Sequence, residues 1–293
     1  MVEKRSISEI IFDSFNALLL AFVIFVTLYP FLYVLFASLS DPLRMTAHRG
    51  VLLAPLGLDF RSYGMVLNNP RILTGYQNTL FLVVVGTAFN ILMTSFGAYV
   101  LSRRGYPGRT FLNFFIIFTM FFSGGLIPFF LVVRNLGLID SLWSLIIPKL
   151  IMTYNLIILR TAFAGVPESM VESAHLDGAN DFTVLFRIFF PVSLPTIAVM
   201  ILFYAVDHWN AWFNAMIFMR TSSRYPLQLV LREILIASDV SNMTAGVGGL
   251  ETEIIGVTIR YSTIIVATIP ILLVYPFLQR FFVKGIMIGS IKG

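Results

Sequence analysis

Apolar runs of about 20 residues recur along the chain, over 18–39, 78–101, 111–133, 142–163, 194–219 and 263–282. At a rise of roughly 1.5 Å per residue each is long enough for a hydrocarbon core of roughly 30 Å. Barrel strands would be shorter and would alternate apolar with polar positions. The pattern therefore predicts an all-α integral membrane protein, one transmembrane domain over 1–293 with six helical spans. Pro30 falls inside the first span, and Gly124, Gly125 and Pro128 break the third. Gly86, Ala88, Gly97 and Ala98 make the second span narrow enough for close helix approach. Residues 41–77, with three prolines and four arginines, read as a loop with short helices.

Six spans put both termini on one side. In the short loops and flanks, Lys4, Arg5, Arg103, Arg104, Arg109, Arg280, Lys284 and Lys292 stand against Arg134 alone, which predicts cytoplasmic termini. Lys4 and Arg5 precede an apolar run longer than a signal-peptide core, so that run reads as a retained span. The same orientation places the polar loop 164–193 in the cytoplasm.

That loop carries Glu168, Glu172, Asp177, Asp181 and Arg187 between two apolar spans. Pro167 suits a first helical position, and early carboxylates favour the positive end of the helix dipole. Gly178 permits a left-handed exit, Asn180 or Asp181 can cap a second helix through Phe182, Leu185, Phe186 and Phe189, and Pro191 ends it. The expected shape is helix, glycine turn, helix: a knob offering Met170, Val171 and Ala174 on one side and carboxylates on the other.

Glu172, Ala174, Gly178, nine further residues, Ile188 and then Phe190-Pro191 resemble the loop of permease subunits of binding-protein-dependent ATP-binding-cassette importers. Ser173 and Phe190 depart from it by small or apolar exchanges. The resemblance implies a coupling helix in which Glu168, Glu172, Ser173, Ala174, Asp177 and Gly178 meet an ATPase. It further implies a second permease subunit, two ATPase subunits that bind ATP and Mg, and an extracytoplasmic solute-binding protein, in a bacterial cytoplasmic membrane. The terminal FVKGIMIGSIKG resembles tails of maltose-importer-type permeases, most of all the lipo-oligosaccharide and polysaccharide branch. By itself it reads as a free, glycine-rich end; the resemblance implies that Gly289, Lys292 and Gly293 enter the ATPase interface. In the loop 220–260, residues 226–237 read as an amphipathic helix at the outer interface, followed by a flexible arm over 244–250. In the resembling family this loop meets the docked binding protein.

Composition narrows the chemistry. The chain is 58% hydrophobic and 12% charged with mean hydropathy +0.87, far from a soluble domain. The absence of Cys excludes thiol catalysis and Cys-ligated metal, and three scattered His offer no cluster. No GxxxxGK[ST] phosphate loop is present, so the chain is not read as an ATPase or other enzyme and binds no cofactor directly. The pI near 9.6 reflects cytoplasmic anchors rather than a nucleic-acid partner.

Charges deep in a span must pair or face water. At roughly 1.5 Å per residue Lys149 lies about 14 Å in from the outer end near Asp140 and Asp207 about 20 Å in from Leu194 at the opposite face, which in a core of roughly 30 Å brings them within about a turn of one depth. Two readings stay open: an ion pair that locks two helices, or a translocation cavity of Lys149, Tyr154, Asn155, Asp207, Trp209, Asn210, Trp212 and Asn214. Aromatic faces and amides suit sugars, and an unpaired Lys149 would suit an oligouronate or alginate-like chain. The expected function is thus a permease for oligo- or polysaccharide. The alternatives are an ion-coupled secondary transporter, which would favour inverted repeats, and a membrane enzyme acting on lipid-linked sugars.

Overall fold

The computed structural model of the chain describes residues 6–103, 105, 108–243, 256–273 and 276. Every regular element among them is helical, apart from an isolated antiparallel bridge between Ser40 and Leu58. The tail with Gly289, Lys292 and Gly293, the arm 244–250, and Lys4, Arg5, Arg104, Arg280 and Lys284 lie outside the described residues. The chain forms two compact units, Met1–Asn69 with Glu233–Ile269 and Pro70–Arg232 with Pro270–Gly293.

The first unit holds α1 (Ile7–Ser38), α2 (Pro42–Ala47) and α3 (Arg61–Leu67). Helix α1 begins where the Glu9 carboxylate accepts from the Ser6 amide at 2.9 Å, half of a capping box. Its most apolar window has no buried residue and is apolar all round, as expected of a span facing lipid or another subunit. It starts well before residue 18, at Ile7. Its far end is held by polar ties: the Tyr29 hydroxyl accepts from Leu52 N at 3.0 Å, Ser38 Oγ meets Tyr63 Oη at 2.7 Å, and Ser262 Oγ, itself bonded to Ser62 Oγ, donates to the Ser38 carbonyl at 3.4 Å. Asp41 caps α2 by accepting from the amides of Leu43 and Arg44.

The second unit is built on α4 (Pro70–Ser102), whose turns widen to π geometry over Leu82–Gly86. It begins eight residues before the expected Asn78. Three broken pairs follow: α5 (Arg109–Phe121) and α6 (Leu126–Asn135) at 115°, α7 (Trp143–Lys149) and α8 (Thr153–Ala164) at 50°, and α10 (Asp181–Val192) and α11 (Leu194–Trp209) at 89°, with the exposed α9 (Glu168–Leu176) between the last two pairs. Among the described residues, three helices are long and apolar enough to cross a membrane, α1, α4 and α14 (Gly256–Leu273), or up to six if each bent pair is one span.

Several expectations need correction. Pro191 does not end the second helix of the loop; α10 continues through it to Val192, and the chain turns only at Ser193. The run 194–219 is not one helix, because α11 stops at Trp209, Asn210 closes it, and α12 (Phe213–Phe218) starts anew. Pro167 precedes the first helical residue of α9 rather than being it. The segment 226–237 is helical as expected, but its apolar side packs within the protein: in α13 (Leu227–Met243), Leu227, Leu229, Val230 and Leu231 are buried. Leu227 donates its amide to Thr79 Oγ1 at 2.9 Å and sits against Gly75, where a Cβ would lie 3.1 Å from its Cα.

Packing in this unit includes two clusters among the described residues. One joins Ala98, Tyr99, Leu159, Phe163, Val171, Val184, Phe189, Met200 and Tyr204, and so binds α9 and α10 to α4, α8 and α11. The other joins Leu82, Val133, Ile146, Phe218 and Leu229. Near the latter, Asp140, in the left-handed region at φ 58, ties the α6–α7 turn to the segment after α12. Its carboxylate accepts from the Thr221 hydroxyl at 2.7 Å, the Thr221 amide at 2.9 Å and the Arg220 amide at 3.0 Å, while Arg224 reaches both its carboxylate and its carbonyl. The Thr221 hydroxyl, these amides and the Arg224 charge hold its pKa at about 2 against an ordinary 3.8.

Two predictions follow from this packing. A Cβ on Gly86 would lie 2.5 Å from His208 Nε2, whereas one on Gly64 meets nothing within 4 Å. Gly86→Ala should therefore destabilise by about 1–3 kcal/mol through overpacking, read as a lower thermal midpoint in detergent, and Gly64→Ala should not. For Asp140, the depressed pKa means its contribution is complete above pH 3.8 and disappears as pH falls towards about 2. The stability difference between wild type and Asp140→Asn, followed by thermal melts from pH 5 to pH 2, should shrink across that window; a constant difference contradicts the assignment.

Candidate functional site: a buried polar junction and an exposed helix

At the break between α7 and α8 the last carbonyls of α7 have no partner within their own helix. Inside an apolar layer each unpaired carbonyl costs several kcal/mol, on the order of a lost hydrogen bond or more. Asn90 of α4, fully buried, supplies the missing donors: its Nδ2 gives hydrogen bonds to the carbonyls of Lys149 at 2.7 Å and Leu150 at 3.0 Å. With its nitrogen so used, its Oδ1 must accept, and it lies 2.7 Å from His208 Nε2. The proton of His208 therefore resides on Nε2. A second tie runs through Tyr204, whose hydroxyl accepts from Met152 N at 3.1 Å and shares a buried bond with Thr94 at 2.6 Å. The π turn ending at Gly86 supplies the room for His208.

This frame presents Lys149 and Asp207 to each other. Nζ lies 3.1 Å from Oδ2 and 3.3 Å from Oδ1, so of the two readings left open by the sequence, the ion pair forms. The pair is not sealed, however: its side chains remain 35% and 29% exposed and border a cavity of about 230 Å³ with Asn210, Trp212, Phe213 and Asn214. Thus Lys149, Asp207, Asn210, Trp212 and Asn214 of the expected cavity set come together. The others do not border it. Tyr154 is exposed on α8; Asn155 is buried and contacts Met152; Trp209 is buried edge-on against Tyr76, with its indole N–H unpartnered. Sequence reasoning missed Asn90, Tyr204 and Arg232, whose guanidinium lies 4.6 Å above the Trp212 ring. A lone Asn inside an apolar span was the available signal for the first of these.

The second candidate is α9. Glu168, Glu172, Ser173, Asp177 and Gly178 are exposed and Ala174 is half-buried. Gly178 turns the chain at φ 83, and Asn180 caps α10 by accepting from Thr183 N at 2.9 Å. Val171 is wholly buried in the core rather than offered outward, so it anchors the helix. The apolar side chains left outside are Met170 and, at 88% exposure, Leu176, which the sequence reading did not single out. Tyr99 donates to Asp181 Oδ1 at 2.6 Å, and His175 reaches the Ala179 carbonyl at 2.9 Å, so the turn between α9 and α10 is fastened to α4. A second cavity of about 230 Å³, bordered by Arg103, Phe163, Val166, Pro167 and Glu168, opens at the start of α9. Among the described residues no group of three or more His, Cys, Asp or Glu could hold a metal ion.

Comparisons with known proteins place this geometry. Residues 90–288 match the family described as binding-protein-dependent transport system inner membrane component. The chain is similar to the polygalacturonan/rhamnogalacturonan transport system permease protein YtcP of Bacillus subtilis, 42% identical over 90% of this chain and 92% of the relative. It is also similar to Protein LplC of the same organism, 41% identical over 97% and 95%. Among solved structures, a chain of a bacterial ABC transporter involved in the import of the acidic polysaccharide alginate superposes with a TM-score of 0.87 at 35% identity, covering 96% of this chain and 100% of that one. On these matches, which run through the exposed α9 and the polar junction alike, the chain belongs to the family of binding-protein-dependent transport system inner membrane components.

Proposed function

We propose that the chain is the permease subunit of an ATP-driven importer for an oligo- or polysaccharide that bears carboxylates. It works beside a second permease and two ATPase subunits, and receives its solute from an extracytoplasmic binding protein. The observation that carries this reading is the match over nearly the whole chain to a permease of an alginate importer, together with a polygalacturonan permease among the relatives. Both named substrates are chains of acidic sugars. The termini and α9 face the cytoplasm, and the tail with Gly289, Lys292 and Gly293 reaches the ATPase interface.

The geometry of α9 supports a coupling role. A partner that grips Leu176, Met170 and the carboxylates of Glu168, Glu172 and Asp177 takes hold of a helix whose Val171 is set in the core with α4, α8 and α11. Movement of that partner then shifts packed helices together, because close-packed interiors transmit displacement rather than absorb it. ATP hydrolysis supplies the energy on the partner, and this chain's part is to open its cavity alternately to the two sides.

Gly178 offers a clean test because a Cβ there meets nothing within 4 Å. Bulk at that position perturbs a partner rather than the chain's own core, apart from about 1–2 kcal/mol of left-handed backbone strain that any side chain incurs. In complexes co-expressed with the ATPase, Gly178→Trp and Glu172→Lys should each lower co-purified ATPase or abolish solute-stimulated hydrolysis, while Gly178→Ala retains most of both. Solute movement in vesicles by the purified chain without any ATPase would contradict the proposal and favour an ion-coupled transporter.

A further inference from the structure

The Lys149–Asp207 pair has the wrong setting for a lock. The helices that carry it are already joined by buried bonds from Asn90, His208, Tyr204 and Thr94. The pair itself sits on the cavity side of that frame, about one-third exposed, where a salt bridge contributes little to stability. Its N···O distances of 3.1 and 3.3 Å exceed the roughly 2.7–2.9 Å of a tight charge-assisted bond. An ammonium has three donors, and Lys149 Nζ makes no other hydrogen bond among the described residues. The cavity wall adds a ring face at Trp212, with Arg232 stacked on it, and the amides of Asn210 and Asn214. Arg232 does not itself border the cavity; it sets a cation against the Trp212 ring, with its Nη1 on Met216 Sδ, so Lys149 is the cation and Asp207 the carboxylate among the described residues of this wall.

We infer that Lys149 reads the carboxylate of a uronate unit as the sugar chain passes, and that Asp207 is an internal carboxylate that occupies Lys149 until the substrate displaces it. The inference rests on the acidic-sugar reading above. The exchange leaves Lys149 paired at every stage, and the released Asp207, part-exposed, is received by water in the cavity. A neutral sugar has no group able to displace Asp207 from the ammonium, so the pair discriminates as well as binds. Asn90 and His208 act through Lys149 as positioning residues, since they hold the backbone from which it projects.

The test uses the complete reconstituted complex in vesicles with its binding protein, and tetramers of galacturonate, mannuronate and guluronate as probes. The decisive comparison is Asp207→Asn with the double variant Lys149→Gln/Asp207→Asn, because neither strands an unpaired carboxylate and they differ only at Lys149. For an acidic tetramer that the wild type carries, Asp207→Asn should keep or lower the half-saturating concentration. The double variant should raise it about tenfold, the value of one hydrogen bond to a charged group. Equal uptake by the two variants overturns the inference while leaving the acidic-sugar reading intact. So does recovery of uptake by the reversed pair Lys149→Asp/Asp207→Lys, which a simple lock would allow. If the wild type carries none of the three tetramers, the acidic-sugar reading fails and the inference fails with it.

Discussion

Backbone polar groups freed at a helix break have no water to turn to inside a membrane, and the second unit is arranged around meeting that demand. Asn90 donates to both carbonyls at the α7–α8 break, His208 fixes Asn90, and Gly86 makes room for His208. Three elements are thereby bound at one depth by bonds that only buried, correctly turned amide and imidazole groups can make. Once the break is stabilised in this way, it need not be straightened, and a lysine can project from it into a cavity. The π turn of α4, a local irregularity of the kind that often accompanies function, ends at Gly86, whose missing Cβ leaves the space that the imidazole fills.

The two candidate sites share one framework. Tyr204 and Met200 of α11 belong to the cluster that holds Val171 of α9, and α11 continues to Asp207 and His208. Displacement of α9 is therefore felt on the helix that carries half of the ion pair. That contiguous packed path links the exposed face of α9 to the cavity beside the ion pair. The relatives named for polygalacturonan and alginate are the ground on which a carboxylate-bearing cargo is proposed.

Much of this was legible in the residues, and what was not has identifiable causes. Span periodicity, the glycine turn at Gly178 and the Asn180 cap follow from local rules that act within a few residues. The common depth of Lys149 and Asp207 followed from rise per residue and span thickness, while their pairing stayed open until the helices were placed. The break at Gly124-Gly125 announces itself, but those at 150–152 and 210–212 contain neither Gly nor Pro, and the spans 142–163 and 194–219 read as continuous for that reason. Val171 read as outward-facing because a nine-residue helix leaves its buried face undetermined until its neighbours are in place. The first turn of α13 read as amphipathic for the same reason, although Gly75 draws Leu227 against α4.

The central claim is that α9 is the surface a cytoplasmic ATPase grips, and the absence of native cysteine makes that directly measurable. A single Leu176→Cys change at the most exposed apolar side chain of α9 should cross-link to a cysteine placed on the co-expressed ATPase. A Phe12→Cys change on the exposed face of α1 should not. Efficient cross-linking from Leu176 alone, altered by nucleotide, is the predicted result. A complex that co-purifies intact yet gives no cross-link from Leu176, or as much from Phe12, contradicts the account.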